Sequence, residues 1–397
     1  MSNERVHYLD WLKVVIVYGI VVFHVSLVFA YGGWLVANHD QSLVLSAFAG
    51  FCFPWGIPAM FLVAGADAWF SLRSRPLQDF VRKRFLRLLV PMVAGVVILT
   101  PLQRFLVSSN PPPSIDRLPA FYVDFFQHIQ LDWTLQIVSR YGLHLWFLGY
   151  LFAISVVCAP AIAWLRTAAG RRLTSWILAV ARRPAGLLVL AAPLALSQLV
   201  LRSRFSDYQD WADVATYTLA FFWGAVIFSD RRFELVIRAQ IRSLVAGGIG
   251  ATAGMGVLFL ITRQPAAIPG PTLAEQVAQA AVWGVFVWSW LNAVVYLGMR
   301  WLNFAHPAID YAKESVLPVY VIHHPFVLAV ASFVVTWDLA VWPKFAIILV
   351  IVFALTLGTY ELGVRRWAAT RFVFGMSPRP KRIDQAPPAG SLRLSTG

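Results

Sequence analysis

The chain has 397 residues, of which 59% are hydrophobic and only 13% are charged, and its mean hydropathy is +0.67. A soluble domain carries roughly 25% charged residues, so the composition excludes an ordinary soluble protein and indicates an integral membrane protein. The net charge of +14 could suggest a nucleic-acid partner. The basic residues lie in short loops between apolar segments, however, which is a membrane-topology signal, so no nucleic acid is expected.

Long, uninterrupted apolar segments favour membrane-spanning helices over β-barrel strands, whose residues alternate in polarity. The sequence therefore predicts an all-α, polytopic helical bundle of about ten transmembrane helices in residues 1–375. Residues 376–397 are rich in Pro, Lys and Arg and predict a basic, disordered cytoplasmic tail. Ten segments are long enough to cross, 185–201 being the shortest: 9–31, 43–72, 84–106, 142–165, 185–201, 212–229, 243–262, 279–301, 315–335 and 345–365.

The loop charges predict the orientation of these helices. If the N-terminus is cytoplasmic and ten segments cross, 26 of the 33 Lys and Arg residues fall on the cytoplasmic side and seven outside. Cytoplasmic loops carry the excess of Lys and Arg in membrane proteins. The predicted topology is therefore N-in and C-in.

The first helix, entered from Arg5, carries three ionisable residues: Asp10, Lys13 and His24. Such residues are costly in a membrane unless they are paired or line a polar cavity. Asp10 and Lys13 share one helical face and can pair with each other, or Lys13 can extend to the interface. His24 follows Lys13 by eleven residues, roughly 16 Å along a helix. A neutral imidazole there suits a general base, although a hydrogen bond to a neighbouring helix would also satisfy it.

Six basic residues surround the predicted loop between helices 2 and 3, from Arg73 to Arg87. Arg84 and Arg87 are three apart and can face one groove, which would suit a phosphorylated donor. The positive-inside rule is the alternative explanation for the whole group.

The longest predicted outer loop, 107–141, combines acids with aromatic residues. Carboxylates accept hydrogen bonds from hydroxyls and rings stack on sugars, so the loop suits a glycan. A plain interfacial aromatic belt is the alternative. The residues in question are the run Pro111–Pro113, Asp116, Asp124, Asp132, Phe121, Tyr122, Phe125, Phe126 and Trp133.

Three more histidines lie in predicted helices 4 and 9. His144 is followed by Trp146, an ordinary interfacial anchor. His323 and His324 are adjacent, so on a helix they point about 100° apart and are a poor metal site. Pro325 frees a backbone carbonyl about one turn back, which indicates a kink beside a cavity.

Two acidic residues are better explained by structural pairing than by function. Glu361 stands four residues before Arg365, the spacing of a helical ion pair. Asp67, near the inner end of helix 2, has similar status. Cys52 and Cys158 lie in apolar segments and are expected to be small buried residues rather than a disulfide.

Taken together, these segments resemble the acyltransferase-3 superfamily of integral membrane acyltransferases. Within it they are most similar to the glucan biosynthesis protein C group, the succinyltransferases of osmoregulated periplasmic glucans. The chain departs from the pattern at Lys13, where Arg is usual, and at Ala64-Gly65, where Ser-Gly is common. The matching pieces are LDWLKVV to GIVVFHVSLVF, MFLVAGADAWF, RKRFLRLLVP, HLWFL, LPVYVIHHPF and YELGVR.

The resemblance implies a multi-pass enzyme of the bacterial inner membrane. It would transfer an acyl group, with succinyl expected, from cytoplasmic acyl-CoA to hydroxyls of an extracytoplasmic glycan, with periplasmic glucan expected. Acyl-CoA would be a co-substrate, with no permanently bound cofactor and no metal. The implied site comprises His24, Asp10 and Lys13 as catalytic residues, Arg84, Arg87 and Arg73 for the donor, and His144, Trp146, His323, His324 and Glu361 around the substrate cavity.

Two alternatives stay open. One is an O-acetyltransferase of the same superfamily that modifies another surface glycan or a lipid. The other is a proton-coupled transporter or flippase, since intramembrane His and acidic residues also serve proton relays. The sequence shows no inverted repeat of the kind common in transporters. Oligomeric state is not indicated.

Overall fold

The computed structural model describes residues 7–108, 114–130, 134–262 and 272–378. This part of the chain is helical and contains no β-strand. Several features named in the sequence analysis lie outside the described residues: Arg5, Pro111–Pro113, Asp132, Trp133 and the predicted tail beyond residue 378. The helices are α1 His7–Leu27, α2 Leu43–Ser74, α3 Leu77–Arg84, α4 Val90–Leu106, α5 Leu118–Gln127, α6 Gln136–Gly142, α7 Trp146–Trp164, α8 Ala168–Ala181, α9 Gly186–Val189, α10 Ala192–Leu201, α11 Trp211–Ser229, α12 Arg232–Thr262, α13 Leu273–Trp301, α14 Pro307–Val334, α15 Val341–Thr359 and α16 Ala368–Val373.

Nine helical stretches in the described ranges are long and apolar enough to span a membrane, which confirms the polytopic all-α bundle. A π-helical turn, Phe85–Leu89, joins α3 to α4, and another, Tyr360–Val364, ends α15. The tenth predicted span, 185–201, is not one long helix. It consists of the short helices α9 and α10, and its start at Ala185 has a left-handed backbone (φ +54°).

This broken segment nevertheless joins opposite ends of the bundle. Before it, Arg166 donates to the carbonyl of Leu72 near the end of α2 (2.9 Å). After it, the ring of Tyr208 lies 5.2 Å from that of Phe53 near the start of α2. Leu72 and Phe53 are nineteen residues apart, about 28 Å at 1.5 Å per residue, close to the thickness of a hydrocarbon core. The chain therefore makes a tenth crossing between Arg166 and Tyr208.

The first and last described residues lie at the same end of the bundle. Lys13 of α1 and Gly375, beyond α16, line one cavity. An even number of crossings requires this arrangement. That this end is cytoplasmic stays a prediction from the loop charges.

Two glycines allow α2 and α11 to approach each other at backbone distance. An ideal Cβ on Gly65 would lie 1.8 Å from the carbonyl oxygen of Phe221, and one on Gly224 would lie 1.9 Å from that of Leu62. Small residues at helix crossings are the usual means of tight packing in membranes, where hydrophobic burial does not drive association. The Ala64-Gly65 motif is therefore a packing device in this chain.

We predict that Gly65→Ala lowers stability, because the added methyl group meets backbone that cannot rotate away. Overpacking of this kind costs about 1–3 kcal/mol. Gly56→Ala in the same helix is the matched control, since its Cβ meets nothing within 4 Å. Thermal unfolding of the detergent-purified proteins should show a lowered midpoint for Gly65→Ala alone. Equal midpoints for the two variants would contradict the close crossing.

Candidate active site

Four histidines from three parts of the chain meet inside the bundle. The Nδ1 atom of His24 lies 3.0 Å from Nε2 of His323. The ring of His324 stands edge-on to His24 at 4.9 Å and stacks parallel to His144 at 4.5 Å. His144, His323 and His324 are buried, and His24 is half-buried. The structure thus brings together all four histidines that the sequence singled out.

Pro325 explains how His144 is held. A proline has no N–H, so Pro325 leaves the carbonyl of Val321, four residues earlier, without its helical donor. His144 Nε2 lies 3.0 Å from that oxygen. His144 itself follows a break in the helix at Leu143 (φ +46°), which separates α6 from α7. The freed carbonyl predicted from Pro325 is therefore the anchor of a histidine.

The hydrogen-bond partners assign the tautomer of each member of the pair. His323 Nδ1 lies 3.0 Å and 2.7 Å from the carbonyl oxygens of Val319 and Tyr320. Carbonyl oxygens only accept, so neutral His323 carries its hydrogen on Nδ1 and accepts through Nε2. His24 must then donate from Nδ1 to His323. The Nε2 atom of neutral His24 is left with a lone pair, the form that a general base requires.

Gln103 and Trp34 complete the cluster, and the sequence did not single out either. Gln103 is fully buried in α4 and accepts through Oε1 from His324 Nδ1 (2.6 Å), while its Nε2 donates to the carbonyl of Leu99 (3.1 Å). The indole ring of Trp34 stacks on His24 at 5.8 Å. A polar Gln in an apolar segment could have indicated Gln103 as a site residue. The position of Trp34, in a loop, carried none.

Buried hydrogen bonds fix the loop that presents Trp34, residues 28–42. Asn38 is buried, and its N–H donates to the carbonyl of Val28 (2.8 Å). The buried ammonium of Lys344 donates to Asn38 Oδ1 and to the carbonyl of Val335, both at 3.0 Å. A buried cation that two oxygens solvate holds this loop over His24.

A cavity of about 470 Å³ opens from the end of the bundle that holds Lys13 and reaches Tyr320. Its mouth is basic and carries the exposed Arg75, Lys83 and Arg87, with Arg84 further in, whereas its deeper walls are apolar. Tyr320 forms part of the inner wall, and its hydroxyl donates to the carbonyl of His144. The cavity therefore ends one side chain away from the histidine cluster.

The ion pair predicted between Asp10 and Lys13 is present and has a third member. Lys13 Nζ lies 3.1 Å from Asp10 and 2.8 Å from Asp67 of α2. Two carboxylates thus neutralise the ammonium beside the cavity. Arg84, one turn deeper on the α2 side, donates to the carbonyl of Ala64 (3.3 Å) and lies over the ring of Phe80.

The other predicted site residues lie apart from this centre. Arg73 is exposed and stacks over Trp69 at 6.0 Å, outside the cavity lining. Trp146 packs edge-on to Tyr150 at 5.2 Å. Glu361 pairs with Arg365 (3.1 Å), as its spacing predicted.

The outer loop that was predicted to meet a glycan folds in part as α5. Phe121 packs edge-on against Phe105 of α4 at 5.5 Å, and the hydroxyl of Tyr122 donates to the carbonyl of Ile98. These two aromatic residues attach the loop to α4. Glycan binding by this loop stays a prediction. Among the described residues, no group of three or more His, Cys, Asp or Glu side chains has the geometry to hold a metal ion.

Comparisons with known proteins identify the family of this chain. The family model of the acyltransferase domain matches residues 6–361. Glucans biosynthesis protein C of Escherichia coli O157:H7 is 22% identical over 97% of this chain and 98% of its own. Its namesake in Salmonella typhimurium is 22% identical over 96% and 97%. No solved structure gives a significant match.

We predict that Lys13→Met lowers the stability of the fold, because it removes the cation that Asp10 and Asp67 share. Breaking a buried pair costs about 3–5 kcal/mol, and partial exposure of these groups brings the expected loss nearer ~2 kcal/mol. Lys313→Met is the control, since Lys313 pairs with Asp310 at a more exposed position (2.5 Å). Unfolding midpoints measured in detergent should fall for Lys13→Met only. A fall of the same size in both variants would argue against a buried triad.

Proposed function

Because the chain belongs to the integral membrane acyltransferase family, we propose that it transfers an acyl group from acyl-CoA to a hydroxyl of an extracytoplasmic glycan, with His24 as the general base. The observation that carries the proposal is the hydrogen-bond chain from the carbonyl oxygens of Val319 and Tyr320 through His323 to His24. It leaves a lone pair on His24 Nε2, in a cluster that Trp34 contacts and that the 470 Å³ cavity, called the donor cavity below, approaches through Tyr320.

In this proposal the donor enters from the basic mouth of the cavity. Arg84 and Arg87 meet the diphosphate of CoA, since guanidinium groups match phosphate oxygens in geometry and charge. The pantetheine arm follows the apolar wall towards Tyr320. Lys13, which lies at the mouth, is roughly 16 Å along α1 from His24, so the thioester has to travel about half the bilayer to reach the base.

The chemistry at His24 is proton transfer coupled to acyl transfer. Nε2 takes the proton of the acceptor hydroxyl as its oxygen attacks the thioester carbonyl. A carbon–oxygen bond forms, the carbon–sulfur bond breaks, and the proton leaves with the CoA sulfur. His323 accepts the Nδ1 hydrogen bond throughout and so keeps the ring of His24 oriented, a role that many enzymes give to a carboxylate.

Succinyl is the acyl group and periplasmic glucan the acceptor that we propose. What supports this choice is the likeness to proteins named for glucan biosynthesis, together with HLWFL and LPVYVIHHPF in the sequence. The free carboxylate of a succinyl group needs a partner other than Lys13, because Asp10 and Asp67 already neutralise that ammonium. Mass spectrometry of periplasmic glucans from cells with and without the gene checks acyl mass and acceptor together.

We predict that His24→Ala reduces acyl transfer at least about 100-fold, as loss of a general base does, while expression and membrane insertion persist. His39→Ala is the matched control, since His39 belongs to the neighbouring loop and its side chain is 99% exposed. The measurement is acylation of glucans by purified protein with acyl-CoA. Normal transfer by His24→Ala would rule out this residue as the base.

A further inference from the structure

A second basic cavity, of about 810 Å³, lies beside the mouth of the donor cavity. The two share Lys83 and Arg87 as lining residues, so they are contiguous. The second cavity adds Arg82 from α3 and Arg366 from the segment before α16. Neither arginine forms an ion pair within the described part of the chain, whereas Arg371, which also lines this cavity, pairs with Glu314.

The wall opposite α3 is formed by residues 366–378, and an ion pair of the buried Arg371 fixes it. Arg371 is 5% exposed and donates through Nη2 to Glu314 Oε1 of α14 (2.6 Å). The same guanidinium donates to the carbonyl of Ser377 at 3.1 Å and 2.7 Å. The first residues of the predicted disordered tail, Met376–Pro378, are therefore held in place and line this cavity.

Gly375 packs residues 366–378 directly against the backbone of Arg87, one of the arginines of the donor cavity. Its backbone is left-handed (φ +62°), and an ideal Cβ on it would lie 2.6 Å from the carbonyl oxygen of Arg87. That carbonyl has lost its helical donor to Pro91, four residues on. Topology alone would place basic residues at this end of the bundle, but it would not require a packed segment that encloses them.

We propose that this cavity binds the nucleotide end of the donor, with Arg82 and Arg366 on its terminal phosphate monoester. The inference rests on the proposed function, since it extends the path of acyl-CoA from Arg84 and Arg87 outwards. Four cations, Arg82, Lys83, Arg87 and Arg366, face one acid, Asp79, while Glu314 compensates Arg371. An excess of guanidinium groups around a pocket suits a dianionic phosphate, which takes several charge-assisted hydrogen bonds.

The test compares two donors, acyl-CoA and its dephospho form, which lacks the ribose phosphate. The full-length protein is assayed in phosphatidylcholine nanodiscs, which contain no anionic lipid. For the wild type we expect a KM about tenfold higher for the dephospho donor, the effect of about one charge-assisted hydrogen bond. The double variant Arg82→Ala/Arg366→Ala should raise the KM for acyl-CoA to that level, with kcat and the KM for the dephospho donor unchanged.

Arg172→Ala is the matched control, because it removes an exposed arginine of α8 that lines neither cavity. It should leave discrimination between the donors intact. Retained discrimination in the double variant would overturn the inference. So would an equal rise in KM for both donors, which indicates a general charge effect. A variant defect seen only after phosphatidylglycerol is added would assign the pocket to an anionic lipid headgroup instead.

Failure of the proposed function is distinguishable from failure of this inference. If the wild type turns over no acyl-CoA, the proposed function is wrong, and calorimetric binding of adenosine 3′,5′-bisphosphate then decides the pocket. Binding by the wild type and by Arg172→Ala, lost in the double variant, would support the pocket. Absence of binding to the wild type would overturn it.

Discussion

The bond between His144 and the carbonyl of Val321 is the contact on which the arrangement of the histidines depends. An apolar helical bundle offers few partners for a buried imidazole, and an unsatisfied polar group there is costly. Pro325 supplies a partner by leaving one helical carbonyl without a donor. His144, seated on that oxygen, stacks on His324, and Tyr320 donates to the backbone of His144. A single imino acid in α14 thereby joins α14 to the segment that carries His144, 177 residues earlier in the chain.

The rest of the bundle serves the two approaches to this centre. On one side, a cavity with a basic mouth and apolar walls reaches Tyr320. On the other, a loop fixed by the buried ammonium of Lys344 places Trp34 against His24. The proposed acyl transfer from acyl-CoA to an extracytoplasmic glycan would need two separate entrances that meet at one base. The close packing of α2 on α11 at Gly65 fixes the position of α2, which contributes Met60, Val63 and Ala64 to the cavity lining.

Carboxylates compensate two of the least exposed cations at the end of the bundle that holds Lys13. Lys13 lies beside the carboxylates of Asp10 and Asp67, and the buried guanidinium of Arg371 pairs with Glu314. The cations that line the cavities are mostly exposed, so they remain free to meet an anionic ligand in solution at little desolvation cost. This division separates the ionic groups that build the fold from those that face the proposed donor.

The sequence by itself determined the class of protein and the separation of Lys13 and His24 along the first helix. Hydropathy and loop charge are local properties, and they located nine spans and identified 185–201 as the shortest of the ten predicted. The rise of a helix then placed Lys13 about 16 Å from His24. Only the tertiary structure decided which groups touch. The partner of His24 is His323, 299 residues away, and that of Lys344 is Asn38, 306 residues away. The periodicity of the sequence does not reveal such pairs. The packing of the helices decides which polar side chains, far apart in the chain, form hydrogen bonds with one another.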